Sequence, residues 1–223
     1  MRSAYQLTIK PDQSSQSVQV LDVTYKTAWF MTHRIREAMR TETFSPMGGS
    51  GKVVEADETY IGRKAGIPVR RGYAHKRAVV SLVERGGKVR SFHIDKATAA
   101  TVAPITQANI DKETRLMTDE SSIYTKLGKD YQEHQSVNHS ANEYVRGDAH
   151  TNTIEGFFSI FKRGFKGIYQ HCGENHLHRY LAEFDFRYNN RIKLGVDDTM
   201  RMNAAIKQAE GKRLTYRRIK RTD

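Results

Sequence analysis

The stretch KVVEADETYIGRKAGIPVRRGYAHKRAVVSLVERGGKVRSFHID, residues 52–95, decides the fold, because three β-rich segments follow one another in it. These segments are residues 52–63, 77–85 and 88–95. The RGG at residues 85–87 is typical of a hairpin turn between the second and the third. Three consecutive strands of this kind predict a meander at the start of a sheet.

Downstream of the meander, helices and strands alternate. Residues 98–110 predict a helix despite Pro104, and residues 114–119 predict a strand that ends in an acidic residue. Residues 121–131 predict a further helix, and residues 133–139 a short strand. This order indicates an α/β fold, a mixed sheet flanked by helices, and it matches the RNase-H-like core.

Helical segments lie on both sides of this region. Residues 24–40, TYKTAWFMTHRIREAMR, predict a helix with Thr24 as N-cap and apolar residues at helical spacing. Those apolar residues are Ala28, Met31, Ile35 and Met39. A weaker helix ahead of it would make residues 1–45 a partial helix-turn-helix segment. We therefore expect a catalytic core at residues 50–193 and a helical, basic C-terminal extension at residues 194–223.

The charge of the chain predicts a polyanionic partner. The 223 residues carry a formal net charge of +12, and residues 186–223 hold eleven Lys or Arg against four Asp or Glu. Such an excess is typical of nucleic-acid binding, although a solubilising basic tail would look the same. No long apolar run or secretory signal is visible, so we expect a cytoplasmic, nucleoid-associated protein without a membrane partner. The single cysteine, Cys172, excludes an internal disulfide.

Three acidic residues lie where a metal-dependent phosphodiester site would present them. Asp57 lies in the first strand, Asp119 closes the fourth strand, and Glu155 lies near the start of a long helix, with 35 residues between it and Asp119. Hard oxygen ligands of this kind suit a pair of divalent cations. Glu55 and Glu58 compete with Asp57, and Glu55 shares its face of the strand while Glu58 points the other way.

The predicted helix at residues 150–169 has two distinct sides, and a second amphipathic helix follows at residues 174–191. A narrow apolar stripe on the first helix would pack on the sheet, and it consists of Ile154, Phe157, Phe161 and Phe165. A polar flank about a quarter-turn away consists of Glu155, Ser159, Lys162 and Lys166. This places an acid and two lysines beside the buried face, an arrangement that any solvated amphipathic helix also shows.

Several segments together resemble the transposases of ISXO-type insertion sequences. They are VVEADETYIGRK, LMTDESSIY, HTNTIEGFFSIFKRGFKGIYQH, HLHRYLAEFDFRYNNR and GKRLTYR, and the resemblance covers roughly residues 20–217. It implies an RNase-H-like fold and an Asp-Asp-Glu triad followed by a lysine, which fall on Asp57, Asp119, Glu155 and Lys162. Some relatives use Asn as the third ligand, so Asn152 stays an alternative to Glu155. Typical members also carry a cysteine zinc ribbon ahead of the helix-turn-helix, and this sequence has no cysteines for one.

The resemblance and the charge together predict metal-dependent cleavage at the ends of an insertion sequence and strand transfer into target DNA. Asp57, Asp119 and Glu155 would hold two Mg²⁺ ions, with Mn²⁺ as a substitute and no small-molecule cofactor. The predicted DNA-binding residues are Lys162, Arg163, Lys166, Arg187, Arg191, Lys212, Arg213, Arg217 and Arg218. We expect double-stranded DNA as the partner and a homodimer on DNA. The alternatives are a two-metal nuclease on the same fold and a truncated transposase that binds DNA without transposing it.

Overall fold

A five-stranded mixed sheet forms the centre of the computed structural model, which describes residues 21–41, 45–170 and 172–212. The strands are β1 (Val53–Ile61), β2 (Arg77–Glu84), β3 (Val89–Ile94), β4 (Arg115–Thr118) and β5 (Glu133–Ser136). Their order in the sheet is β3-β2-β1-β4-β5. Strands β1 to β3 are antiparallel, β4 is parallel to β1, and β5 is parallel to β4. This is the topology of the RNase-H-like fold, so the predicted fold class is confirmed.

Helices pack on both faces of the sheet. They are α1 (Tyr25–Ala38), α2 (Ala99–Asn109), α3 (Ser122–Leu127), α4 (Asn152–Gly164), α5 (Leu177–Asn189) and α6 (Asp198–Ala209). Helices α2 and α3 share a core with one face, and α4 and α5 with the other. Because β2 is covered on both sides, its six central residues are all buried, which explains the nearly continuous apolar run RAVVSLVE.

Helix α4 carries the apolar stripe that the sequence predicts. Ile154, Phe157, Phe161 and Phe165 are all buried, whereas Glu155 on the flank is exposed. The helix continues as a π-helix over Phe165–Tyr169 and therefore reaches the predicted end. A short β-ribbon, β6 (Val145–Arg146) and β7 (Ala149–His150), leads into its first turn.

Helix α5 covers the open edge of the sheet at β3. The Asn189 side chain accepts from the backbone N–H of Val89 at 2.7 Å and donates to its carbonyl at 2.9 Å. One turn earlier, Asp185 accepts from the backbone N–H and the hydroxyl of Ser91, both at 2.7 Å. These side chains take the place of a sixth strand, and an unpaired edge of this kind otherwise favours aggregation.

Helix α1 begins after its predicted N-cap, since the Thr24 hydroxyl accepts from Thr27 N–H. Its contact with the core differs from the apolar pattern, because Met31 is 37% and Ile35 51% exposed. The buried side includes Arg36, whose Nε lies 2.8 Å from a carboxylate oxygen of Glu183 in α5. A buried ion pair thus joins α1 to the core, and the apolar positions alone did not indicate that side.

Two predicted segments lie partly outside the described residues. The weaker helix of the partial helix-turn-helix is predicted within residues 14–23, of which residues 14–20 lie outside the described ranges, and the end of the basic extension falls within residues 213–223. Helix α6 forms the described part of that extension. Along the described ranges, no helix is both long enough and apolar enough to cross a membrane.

Candidate active site

Asp57 and Asp119 lie side by side on neighbouring strands. Strands β1 and β4 are parallel, and Glu55 pairs with Met117 in their register. Two residues further along each strand are Asp57 and Asp119. Adjacent strands are about 5 Å apart, and residues two apart point to the same face. The two aspartates therefore lie together on one face of the sheet. Helix α4 covers this face, because Glu55, which points to the same side as Asp57, accepts a hydrogen bond from the Ile154 N–H in the first turn of α4.

The charges of this site repel one another. Burial raises the pKa of Asp57 well above its usual range, and the carboxylates of Asp119, Glu58 and Glu155 raise it further. Burial also raises the pKa of Asp119, although the Ser121 backbone N–H, 3.0 Å from Oδ1, stabilises the charged form. The three predicted carboxylates thus act on one another, and a cation would relieve their repulsion.

Glu155 is held by two neighbours that the sequence did not indicate. The Thr151 hydroxyl donates to Glu155 Oε1 at 2.8 Å, and His139 Nε2 lies 3.4 Å from the same oxygen. His139 Nε2 is also 3.3 Å from the Thr151 hydroxyl oxygen. The His139 backbone N–H donates to the carboxylate of Glu120 at 2.9 Å, which fixes this loop beside Asp119. No local pattern marks His139, since the fold brings it to the site from a loop.

Glu55 caps the helix that carries Glu155. Its side chain is fully buried, pairs with Arg85 Nε at 2.6 Å and accepts from the backbone N–H of Ile154 at 2.9 Å. Thr151, the residue before α4, therefore does not cap the helix with its hydroxyl, which is left to bond Glu155. Arg85 also donates to the carbonyls of Asp148 and His150, each at 2.8 Å.

Two alternatives remain from the sequence, Glu58 in place of Asp57 and Asn152 in place of Glu155. Glu58 points to the opposite face, where the Tyr124 hydroxyl donates to it at 3.0 Å. Asn152 opens α4 and is exposed, three residues before Glu155 and on the same side of the helix. The third ligand therefore stays a choice between Glu155 and Asn152, and Glu155 is the one whose charge acts on Asp57.

The predicted DNA-binding residues divide into three groups. Lys162, Arg163 and Lys166 are exposed on α4 and its π-helical continuation. Three others have partners within the chain: Arg187 pairs with Glu183, Arg191 donates to the carbonyls of Gly87 and Tyr188, and Lys212 donates to those of Ala38 and Arg40. The remaining three, Arg213, Arg217 and Arg218, lie outside the described residues.

Residues 48–189 match the model of the ISXO2-like transposase domain family. A protein of Halobacterium salinarum, described as an uncharacterized protein in transposable element ISH50, is 31% identical over 186 residues. The match covers 75% of this chain, which spans 61% of the length of that relative.

Two solved structures are similar to the chain at low scores. A simian T-cell lymphotropic virus intasome in complex with PP2A regulatory subunit B56 gamma has 11% identity and a TM-score of 0.38. The match covers 76% of this chain and 63% of that one. The Mos1 strand transfer complex has 12% identity and a TM-score of 0.36, and the match covers 91% of this chain and 72% of that one.

Proposed function

This chain belongs to the ISXO2-like transposase domain family, and from that premise we propose that it is a DDE transposase. It cuts DNA at the ends of its element and joins the freed strand to target DNA. The observation that carries the proposal is that Asp57 and Asp119 share one face of the sheet and Glu155 lies on the helix that covers it, where Asp119 and Glu155 raise the pKa of Asp57. Residues 50–193 are the proposed catalytic unit, between the DNA-binding segment 1–45 and the basic extension 194–223.

The donor set fits two Mg²⁺ ions, or Mn²⁺ in their place. Carboxylate oxygens are the ligands that these hard cations prefer, and burying like charges together is costly without a cation. Within the described residues, no three His, Cys, Asp or Glu side chains already stand at metal-binding spacing. Asp57 and Asp119 would provide the fixed part of the site, and Glu155 would move toward them while the Thr151 hydroxyl keeps one of its carboxylate oxygens.

When bound, the cations supply Lewis-acid chemistry that activates water and stabilises the departing 3′ oxygen. The residues of the chain supply position. Glu55 fixes the start of α4 against β1, so Glu155 stays beside the two aspartates. Lys162 lies seven residues further along the helix, about 10 Å, where its ammonium group is exposed and would hold a backbone phosphate. The substrate is double-stranded DNA, and two ends joined in one event call for a homodimer on DNA.

Cleavage and joining of labelled duplexes that carry the element's ends test this proposal. We expect nicking and joining with Mg²⁺ or Mn²⁺, and loss of both in Asp57→Asn and Glu155→Gln. Asn152→Ala identifies the third ligand, since it retains activity if Glu155 has that role. Glu113→Gln, which removes an exposed acid elsewhere, is the matched control.

The outcomes separate the proposed activity from its alternatives. Nicking without joining would identify a two-metal nuclease. DNA binding without cleavage in the wild-type protein would identify a non-catalytic DNA-binding protein. Activity that survives Asp57→Asn would contradict the assignment of the site itself.

A further inference from the structure

The loop between β1 and β2, residues 62–76, is strongly basic. It contains Arg63, Lys64, Arg70, Arg71 and Lys76 and no acidic residue. All residues from 65 to 74 are exposed, including Val69 at 62% and Tyr73 at 57%. In the part of the chain that the structure describes, Arg70 and Arg71 have no ion-pair partner. Their charges are therefore available to a ligand.

The base of this loop is fixed to the core. Lys64 is buried, its Nζ lies 2.7 Å from a carboxylate oxygen of Asp95, and its backbone N–H donates to the His75 carbonyl at 2.9 Å. The Tyr73 ring stacks on Tyr60 of β1, with centroids 4.4 Å apart and planes 12° apart. The exposed cations are thus presented by a braced loop, which lowers the entropy lost when they bind.

Helix α4 leads from the carboxylates to this loop. Its first turn is tied to Glu55 in β1, and the chain beyond its far end is tied to the base of the loop, where Arg77 donates to the Cys172 carbonyl. Arg77 pairs with Ile61, the last residue of β1. Helix and strand therefore run in the same direction, away from the site and toward the loop.

The length of strand β1 sets the distance from the carboxylates to the loop, and helix α4 runs beside it over a similar length. From Asp57 to the start of the loop at Gly62 is five residues of strand, about 17 Å. From Glu155 to Lys166 is eleven helical residues, also about 17 Å. The exposed Lys162 and Lys166 lie along this path. With about 3.4 Å per nucleotide, the path corresponds to about five nucleotides.

We propose that the β1–β2 loop is a phosphate-binding site, in which Arg70 and Arg71 hold the DNA backbone and whose base lies about five nucleotides from the phosphate at Asp57 and Asp119. This inference rests on the proposed function, because it takes DNA as the ligand. It assigns DNA binding to residues 62–76, in addition to α4 and the C-terminal extension. The exposed Tyr73 ring belongs to the same loop and would lie beside the DNA backbone.

The salt dependence of DNA binding by the full chain tests the loop without requiring catalysis. The probe is a fluorescein-labelled 40-base-pair duplex of random sequence, titrated from 50 to 200 mM NaCl without divalent cations. We expect Arg70→Ala/Arg71→Ala to lower the slope of log Kd against log salt by about 1.8, since each phosphate contact contributes about 0.9. Arg70→Lys/Arg71→Lys should keep most of the wild-type slope.

Lys126→Ala/Lys129→Ala is the matched control, because it removes two exposed cations from the layer on the other face of the sheet. An unchanged slope in the Arg70/Arg71 variant would overturn the loop assignment while wild-type binding and cleavage still supported the transposase. An equal decrease in both double variants would also overturn it, because general charge and not the loop would then account for binding. If the wild-type protein did not bind DNA, the proposed function would fail together with the loop.

Discussion

Glu55 and Asp57 lie on the same face of β1, two residues apart, and we expect their neutralisation to change stability in opposite directions. The Glu55 side chain is fully buried and accepts from Arg85 and from the first turn of α4. Glu55→Gln keeps the shape and one oxygen for the Ile154 N–H, but it removes the charge that faces Arg85. Breaking a buried ion pair costs about 3–5 kcal/mol. Because Arg85 is 20% exposed and keeps two carbonyl acceptors, we expect a loss of about 2–3 kcal/mol.

Asp57→Asn should have the opposite effect on the metal-free protein. Two carboxylates about 5 Å apart repel by about 3 kcal/mol at an effective dielectric constant of about 20. Part of this repulsion is already relieved by proton uptake, since the pKa of Asp57 is raised. We therefore expect the variant to be more stable by about 1–2 kcal/mol at pH 8, although it is inactive.

Urea unfolding with EDTA at pH 8 measures both changes, and thermal melting gives an independent reading. At this chain length, 1 kcal/mol moves Tm by about 2–4 °C. Glu55→Gln should melt about 4–12 °C below the wild type, and Asp57→Asn about 2–8 °C above it. Addition of Mn²⁺ should stabilise the wild type more than Asp57→Asn. A destabilised Asp57→Asn, or a Glu55→Gln as stable as the wild type, would refute the assignment of one acid to metal binding and the other to helix capping.

Two further predictions concern groups around the site and at the sheet edge. Burial raises the pKa of Asp185 to about 7, so the folded chain keeps a proton that the unfolded chain releases. The unfolding free energy should therefore fall as pH rises from about 4 to 7 and then level off, and Asp185→Asn should remove at most about 4 kcal/mol of that fall in urea titrations. An identical pH dependence in the variant and the wild type would contradict this. Thr151→Val removes the hydroxyl that orients Glu155. We therefore expect the Mn²⁺ concentration for half-maximal cleavage to rise about tenfold in this variant, and to stay close to the wild-type value in Thr151→Ser. Equal metal dependence in the valine and serine variants would show that the hydroxyl has no such role.

Much of the fold follows from the sequence because its signals are local. The meander and the alternating elements after it are confirmed, as is the buried stripe of α4. Differences appear where elements end: the predicted helix at residues 121–131 is α3 followed by a 3₁₀ turn at Gly128–Asp130. The predicted strand at residues 133–139 ends at Ser136. Ends depend on caps and contacts that a hydrophobic period does not encode.

The sequence by itself determined the order of strands and helices along the chain, the inward face of α4 and the positions of three acids, since residue periodicity alone fixes which side chains share a face. Only the tertiary structure decided which of two acids on β1 caps a helix 99 residues away, because that depends on how α4 packs against the sheet. The same packing brings His139 to Glu155 and aligns α4 with the β1–β2 loop. Contacts between distant parts of the chain arise from three-dimensional packing, and so the contacts of Glu55 and His139, and the loop to which we assign Arg70 a DNA-binding role, became visible only in the folded protein.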